Sequence, residues 1–265
     1  MKKTHKLKKL LKRILLGLLA VVVILAGIVA VIADKNMNAM NHCVDAAMTA
    51  LNNHYTVTPI DPGEYDHLTL YGLLKFKVEQ YNIEGIGNLS IMRVNMGLMQ
   101  MSTLVITPCD RNLPLLSTDF MYILTNRTVY VEFYDVVAEK DDAYITLLEE
   151  LDTAIDTYHL LEDVPITPTW YTPLLTVGAY KNGGFNEDSL FEQMLVDCLN
   201  VYLEDSKNLP MLTDEERAEK IEITEEYTHG LVEKGGISTD VFKSALGDDI
   251  TKDFFDRVFF GTAGR

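Results

Sequence analysis

The pattern of apolar and polar positions changes character three times along the chain. Residues 14–33 form an unbroken apolar run of twenty Ile, Leu, Val, Ala and Gly residues without one polar side chain. As a helix, such a run spans roughly 30 Å, the hydrocarbon thickness of a bilayer. Residues 37–53 then follow a helical period, with Met37, Met40, Val44, Ala47, Met48 and Leu51 on one stripe, which predicts a helix with one buried face. A turn at Asp61-Pro62-Gly63 closes that unit. From His67 to Asp135 the period falls to two: Phe76, Val78 and Gln80 alternate with Lys75, Lys77 and Glu79. Further runs at 88–96, 100–107, 120–125 and 129–134, separated by Gly85, Gly87, Gly97 and an Asn126-Arg127 turn, predict an antiparallel meander.

The second half returns to a helical period. Residues 143–161 place Leu147, Leu148, Leu151, Ile155 and Tyr158 on one side. A Pro- and Thr-rich break at 165–173 and a short apolar strand at 174–180 follow. Residues 186–203 predict a helix with Leu190, Met194, Leu195, Cys198 and Leu199 inward, and Thr213 with Glu216 is a capping box that opens another. Two closing helices, 239–246 and 251–260, flank Gly247. A meander followed by helices argues for an α+β fold, an antiparallel β-sheet sandwiched between helices. With neither internal repeats nor a low-complexity linker, residues 34–265 read as a single α/β/α sandwich domain behind a basic tail at 1–13 and the apolar segment at 14–33.

Charge sharpens the division. The first 33 residues hold seven cations (Lys2, Lys3, Lys6, Lys8, Lys9, Lys12 and Arg13) and no acid. Their one-sidedness puts the tail in the cytoplasm and the following domain outside it. The alternative is a signal segment cut after Val31-Ile32-Ala33, which would make the domain secreted, although an h-region usually runs only about 7–15 residues. The other 232 residues carry 16 bases and 39 acids, a net charge of −23. A domain so acidic repels nucleic acid, which excludes that class of partner. Cys43, Cys109 and Cys198 are too widely spaced for a zinc site and read as buried free thiols. The chain carries no P-loop, dinucleotide fingerprint, nucleophile triad motif or metal-ligand cluster.

Two segments carry a family likeness. Val105-Ile106-Thr107-Pro108, then Leu113-Pro114-Leu115-Leu116-Ser117-Thr118-Asp119-Phe120, resembles the central strands of the ferredoxin-dependent bilin reductases: an apolar strand ending in Pro, a short loop, then Pro-apolar-apolar-Gly-x-Asp-apolar. The run from Val241 to Asp249, continuing through Phe254-Phe255-Asp256-Arg257-Val258-Phe259-Phe260, resembles that family's closing helices. Trp170 falls where a family tryptophan precedes a strand, and the order of elements agrees across about residues 65–260. The resemblance implies a linear tetrapyrrole held between sheet and C-terminal helices, with no bound metal or flavin. An external one-electron donor, ferredoxin or another, would supply electrons while the protein supplies protons. Asp119 matches the family's catalytic aspartate.

The departures are as specific as the match. Where some members carry His or Asn on the strand facing that aspartate, this chain has Ser102-Thr103, whose hydroxyls bind but donate protons poorly near neutral pH. The stretch that would supply a second aspartate, Lys234-Gly235-Gly236, holds no acid, and neither does 90–96 one strand earlier. Arg93 could salt-bridge a propionate if it faces the pocket. His229 and Tyr227 could enter the cleft from their helix, and Trp170 could line it. Two functions therefore stand side by side. One is a membrane-anchored reductase of linear tetrapyrroles with Asp119 as proton donor. The other is a non-catalytic extracytoplasmic module that binds a tetrapyrrole or another flat apolar ligand. Ferredoxin is cytoplasmic, and a −23 domain docks an acidic donor poorly, so the expected outside placement calls for a different electron-donor protein.

Overall fold

The apolar run and the amphipathic stripe behind it are one helix. In a computed structural model that describes residues 2–236 and 238–265, α1 (Lys2–His54) continues for 53 residues without a break. The sequence predicts two separate segments there, 14–33 and 37–53, and Asn36 lies between them. Its Nδ2 donates to Gln100 Oε1 (2.7 Å) and to the Leu124 carbonyl (3.0 Å), tying the mid-point of α1 to the sheet. The first half of α1 is long and apolar enough to cross a membrane and lies outside the core. The second half buries Met40, Cys43, Val44, Ala47, Ala50 and Leu51.

Nine strands form one antiparallel sheet among the described residues: β1 (Val57–Ile60), β2 (His67–Leu70), β3 (Leu74–Ile83), β4 (Gly87–Asn95), β5 (Met99–Pro108), β6 (Leu115–Ile123), β7 (Asn126–Tyr134), β8 (Glu162–Asp163) and β9 (Leu175–Gly183). Their order is β1-β3-β4-β5-β6-β7-β9-β8, with β2 sharing the outer edge of β3. On one face, α1, α2 (Asp142–Asp156) and α3 (Asp188–Asp205) cover Ile91, Leu104, Phe120, Val131 and Phe133. On the other lie α4 (Asp214–Lys234), α5 (Thr239–Leu246), α6 (Asp248–Phe254) and a π-helical turn, Phe255–Phe259. The architecture is the helix-sheet-helix sandwich that the patterning predicts, with the capping box of Thr213 and Glu216 at the start of α4.

Two local expectations are corrected. The Asn126-Arg127 turn is strand, and the chain instead reverses at Leu124-Thr125. Arg127 is fully buried, its Nε 2.8 Å from Asp188 Oδ1 and its guanidinium over the rings of Tyr122 and Phe185, so its charge is matched inside rather than solvated in a turn. Leu190 is exposed, and Phe191 takes the inward place in α3. The short strands β1, β2 and β8 lack the length to register as a period-two pattern.

Candidate functional site

The meander places polar residues in rows across the sheet. Antiparallel pairing aligns Met92, Thr103, Asp119, Tyr130 and Tyr180, one from each of β4, β5, β6, β7 and β9. The adjacent row runs Ser90, Val105, Ser117, Glu132 and Gly178. Side chains in register on alternate positions share a face. Both rows therefore point at α4, α5 and the π-turn, and Thr103, Asp119, Tyr130, Glu132 and Tyr180 line a cavity there. Thr103 Oγ1 donates to Asp119 Oδ1 at 2.5 Å. Tyr180 donates to Glu132 Oε1 at 2.8 Å. Gly178 gives the Tyr180 ring its path, since a Cβ there would stand 3.0 Å from that ring.

Two carboxyls thus share one floor, and both are harder to ionise than usual. Burial raises the Asp119 pKa, and the Thr103 hydroxyl only partly offsets it. Burial likewise pushes Glu132 up to about 7, helped by the charge of Asp119 and opposed by hydrogen bonds from Tyr180 and Tyr134. A carboxyl that keeps its proton near neutrality can donate it.

The covering layer is aromatic and is fixed by polar side chains of the sheet. In the π-turn and just beside it, backbone carbonyls point back at β3 and β4. Gln80 donates to the Arg257 carbonyl (2.9 Å), Asn88 to that of Val258 (3.1 Å) and Ser90 to that of Phe259 (2.6 Å). These bonds hold Phe255, Phe259 and Phe260 over the cavity. π-Turns recur where a helix must re-aim side chains at a site. Tyr227 of α4 stacks on Tyr134, with ring centroids 5.3 Å apart, and meets Tyr171 and Phe260 edge-on. The enclosed space is about 190 Å³, below the roughly 300–1,000 Å³ usual for small-molecule sites. A larger flat ligand would have to part the rings or the 165–172 loop.

The candidate residues from the sequence separate cleanly. Asp119 and Thr103 meet on the floor, and Tyr227 lines the wall. Arg93 and Ser102 pair with each other in the row that faces α1, so alternation turns both away from the cavity. Arg93 is engaged there by Glu79 and Asn41, and the Ser102 hydroxyl is buried without a hydrogen-bond partner among the described residues. His229 lies on the far side of α4, with Nε2 3.1 Å from Asp256 Oδ1 and 3.0 Å from Lys252 Nζ. Trp170 stands behind the lining: its Nε1 donates to the Gly235 carbonyl (2.8 Å), its ring rests on Gly230, and its neighbour Tyr171 reaches the cavity instead. Among the described residues, no group of His, Cys, Asp and Glu could hold a metal ion. Cys43, Cys109 and Cys198 are buried free thiols.

Glu132 went unnoticed in the sequence because its strand reads as half-solvated. Val129, Val131 and Phe133 alternate with Tyr130, Glu132 and Tyr134, which looks like a core face and a wet face. The signal was parity: Glu132 falls in step with Tyr130, the residue opposite Asp119.

The antiparallel sheet flanked by helices matches a bilin-reductase fold. Among solved structures it is shared by phytochromobilin synthase from tomato in complex with biliverdin, with a TM-score of 0.67, 15% identity, and 84% of this chain and 83% of that chain covered. Neither a protein-family model nor a curated protein matches the sequence.

Proposed function

We propose that the chain is a membrane-anchored, bilin-reductase-like protein that takes a linear tetrapyrrole into this cleft and delivers protons to it. The observation that carries the reading is the pair Asp119 and Glu132, two carboxyls that burial makes harder to ionise, on the floor of an aromatic cleft. The fold shared with a biliverdin-bound protein supports the ligand class. Reduction of one double bond consumes two electrons and two protons. An external one-electron donor, a protein other than ferredoxin within reach of the membrane on the domain's side, would supply the electrons one at a time. Asp119, touching the ligand, gives the first proton, and Glu132 fills the place of the second acid that Lys234-Gly235-Gly236 does not offer. Residues 14–33 hold the protein in the membrane, with the acidic domain on the side away from the basic tail.

The first test is a titration of the full chain, in detergent, with biliverdin. A saturable, red-shifted absorption spectrum supports the reading, and an unchanged spectrum ends it. With a one-electron donor, Asp119→Asn is expected to keep binding while turnover falls by about 10²–10⁴-fold, the usual worth of a positioned proton donor. Unaltered turnover would remove Asp119 from the mechanism.

A second reading follows from the residue that faces Asp119. Thr103 stands there, and among the described residues no histidine lines the cavity. A module that binds the tetrapyrrole without reducing it would give the same spectrum and no product with any donor.

A further inference from the structure

One end of the sheet exposes apolar side chains where turns ordinarily carry polar ones. Three hairpins reverse there, at 71–73, 96–98 and 124–125; the pairing of Phe76 with Val94 and of Met99 with Ile123 brings them abreast. Tyr71 (55% exposed), Leu73 (82%), Leu98 (56%), Ile123 (51%) and Leu124 (39%) all face outward. Tyr71 and Leu124 have φ of 53°, the left-handed region that favours Gly and Asn. A bulky residue held there is strained; the Tyr71 hydroxyl donates to the Val241 carbonyl (3.3 Å), while the Leu124 side chain stays exposed. At the opposite end, by contrast, Ile86 and Leu113 are fully buried.

The position of this rim is set by α1. The Leu124 amide donates to the Leu98 carbonyl (3.0 Å), which joins two of the hairpins, and Asn36 holds the Leu124 carbonyl from α1. Asn95 and Gly97 of one hairpin border a shallow hollow with Ala26, Val29, Ala30 and Ala33. Ala26 to Ala33 covers about 10 Å of helix axis, and all four of those residues belong to the apolar run. The hairpin tip therefore runs alongside the last turns of the segment read above as membrane-spanning.

We infer that the rim of Tyr71, Leu73, Leu98, Ile123 and Leu124 is a bilayer-contacting surface that seats the domain directly on the membrane holding α1. The inference rests on the membrane-anchor reading of residues 14–33. Lipid is the occupant because a surface abreast of Ala26–Ala33 is already at the depth of the bilayer edge. The attraction is apolar: a domain with a net charge of −23 is repelled by anionic headgroups, so the seat is made on zwitterionic lipid and is insensitive to salt.

The test places the full chain, one copy per disc, in phosphatidylcholine nanodiscs, with an environment-sensitive fluorophore on an introduced cysteine and nitroxide-bearing lipids as quenchers. Val22→Cys reports the anchor, Leu98→Cys and Leu73→Cys the rim, and Met211→Cys the far end, where Met211 lies beside Gly85. The native cysteines are buried, and burial pushes Cys43 and Cys198 up to about 12, so they stay unlabelled. The expected result is loss of fluorescence at 22, 98 and 73, with none at 211, at both low and high salt. Quenching at 22 but not at 98 or 73 overturns the seat and leaves the anchor standing. No quenching at 22 overturns the anchor reading itself, and the seat with it.

Discussion

At the scale of single residues, Glu132 turns the cavity into something pH can read. Its pKa is raised from an ordinary 4.5 to about 7 in the folded protein. Between those values the folded state binds a proton that the unfolded state has released, so stability falls as pH rises through that window and is level above it. The size of the loss is on the order of 3 kcal/mol, at 1.36 kcal/mol per pKa unit. Replacing Glu132 by Gln keeps the acceptor for Tyr180 and removes the charge. Denaturant unfolding of Glu132→Gln is therefore expected to lose most of the decline between pH 4.5 and 7 that the parent protein shows. An identical pH dependence in both proteins would mean that Glu132 titrates normally. On the proposed reductase reading the same group limits turnover, which is expected to fade as pH passes about 7 because a deprotonated Glu132 has no proton to give. Asp119 adds to this by its nearby charge, so the Asp119→Asn protein should show a lower Glu132 pKa.

At the scale of elements, what the sequence makes legible is what depends on period alone. The stripe on α1, the meander, the capping box of α4 and the paired closing helices all follow from spacing, because burial of one face imposes it. Legibility stops where a polar residue is buried by something distant in sequence. Arg127 looks like a turn residue until Asp188, 61 positions later, comes to meet it. Glu132 looks solvated until α4 and the π-turn cover it, and His229 looks like a cleft residue until Lys252 of α6 and Asp256 of the π-turn show which side of α4 it occupies. Trp170 depends on the same kind of distant contact. It anchors the 165–172 loop to α4 by resting on Gly230, where an added Cβ would stand 2.4 Å from the indole. Gly230→Ala gains about 1 kcal/mol of helix propensity, but overpacking against a rigid ring costs roughly 1–3 kcal/mol. The ring is expected to move. Trp170 is the chain's single tryptophan, so its displacement should appear as a red-shifted emission together with weaker biliverdin binding. Unshifted emission would show that the loop does not depend on this contact.

At the scale of the whole molecule, α1 joins a half long and apolar enough to cross a membrane to a half that belongs to the fold. Among the described residues, none of the first half joins the buried core, whereas the second half contributes Met40, Cys43, Val44, Ala47, Ala50 and Leu51 to the layer opposite the cleft. Fully burying a large aliphatic side chain is worth about 1.5–3 kcal/mol, so Met40, Val44 and Leu51 with their smaller neighbours together supply several kcal/mol. That is comparable with the roughly 5–15 kcal/mol by which a whole domain is stable. A chain beginning at Asp34 keeps all of these residues, and also Asn36 with its bonds to Gln100 and Leu124. It is expected to unfold cooperatively, close to the midpoint of the full protein in the same detergent. A chain beginning at Val57 loses the helix and bares Ile91, Leu104 and Phe120, and it should aggregate or show no cooperative transition. The intermediate case is Met40→Ala in the chain from Asp34, where a fully buried side chain is lost from an otherwise intact layer. The expected penalty is about 2–5 kcal/mol. If the chain from Val57 folded as well as the chain from Asp34, α1 would be an anchor laid against a self-sufficient domain. If the Met40→Ala cost appears and the chain from Val57 fails, the helix that carries the apolar run is also a wall of the fold.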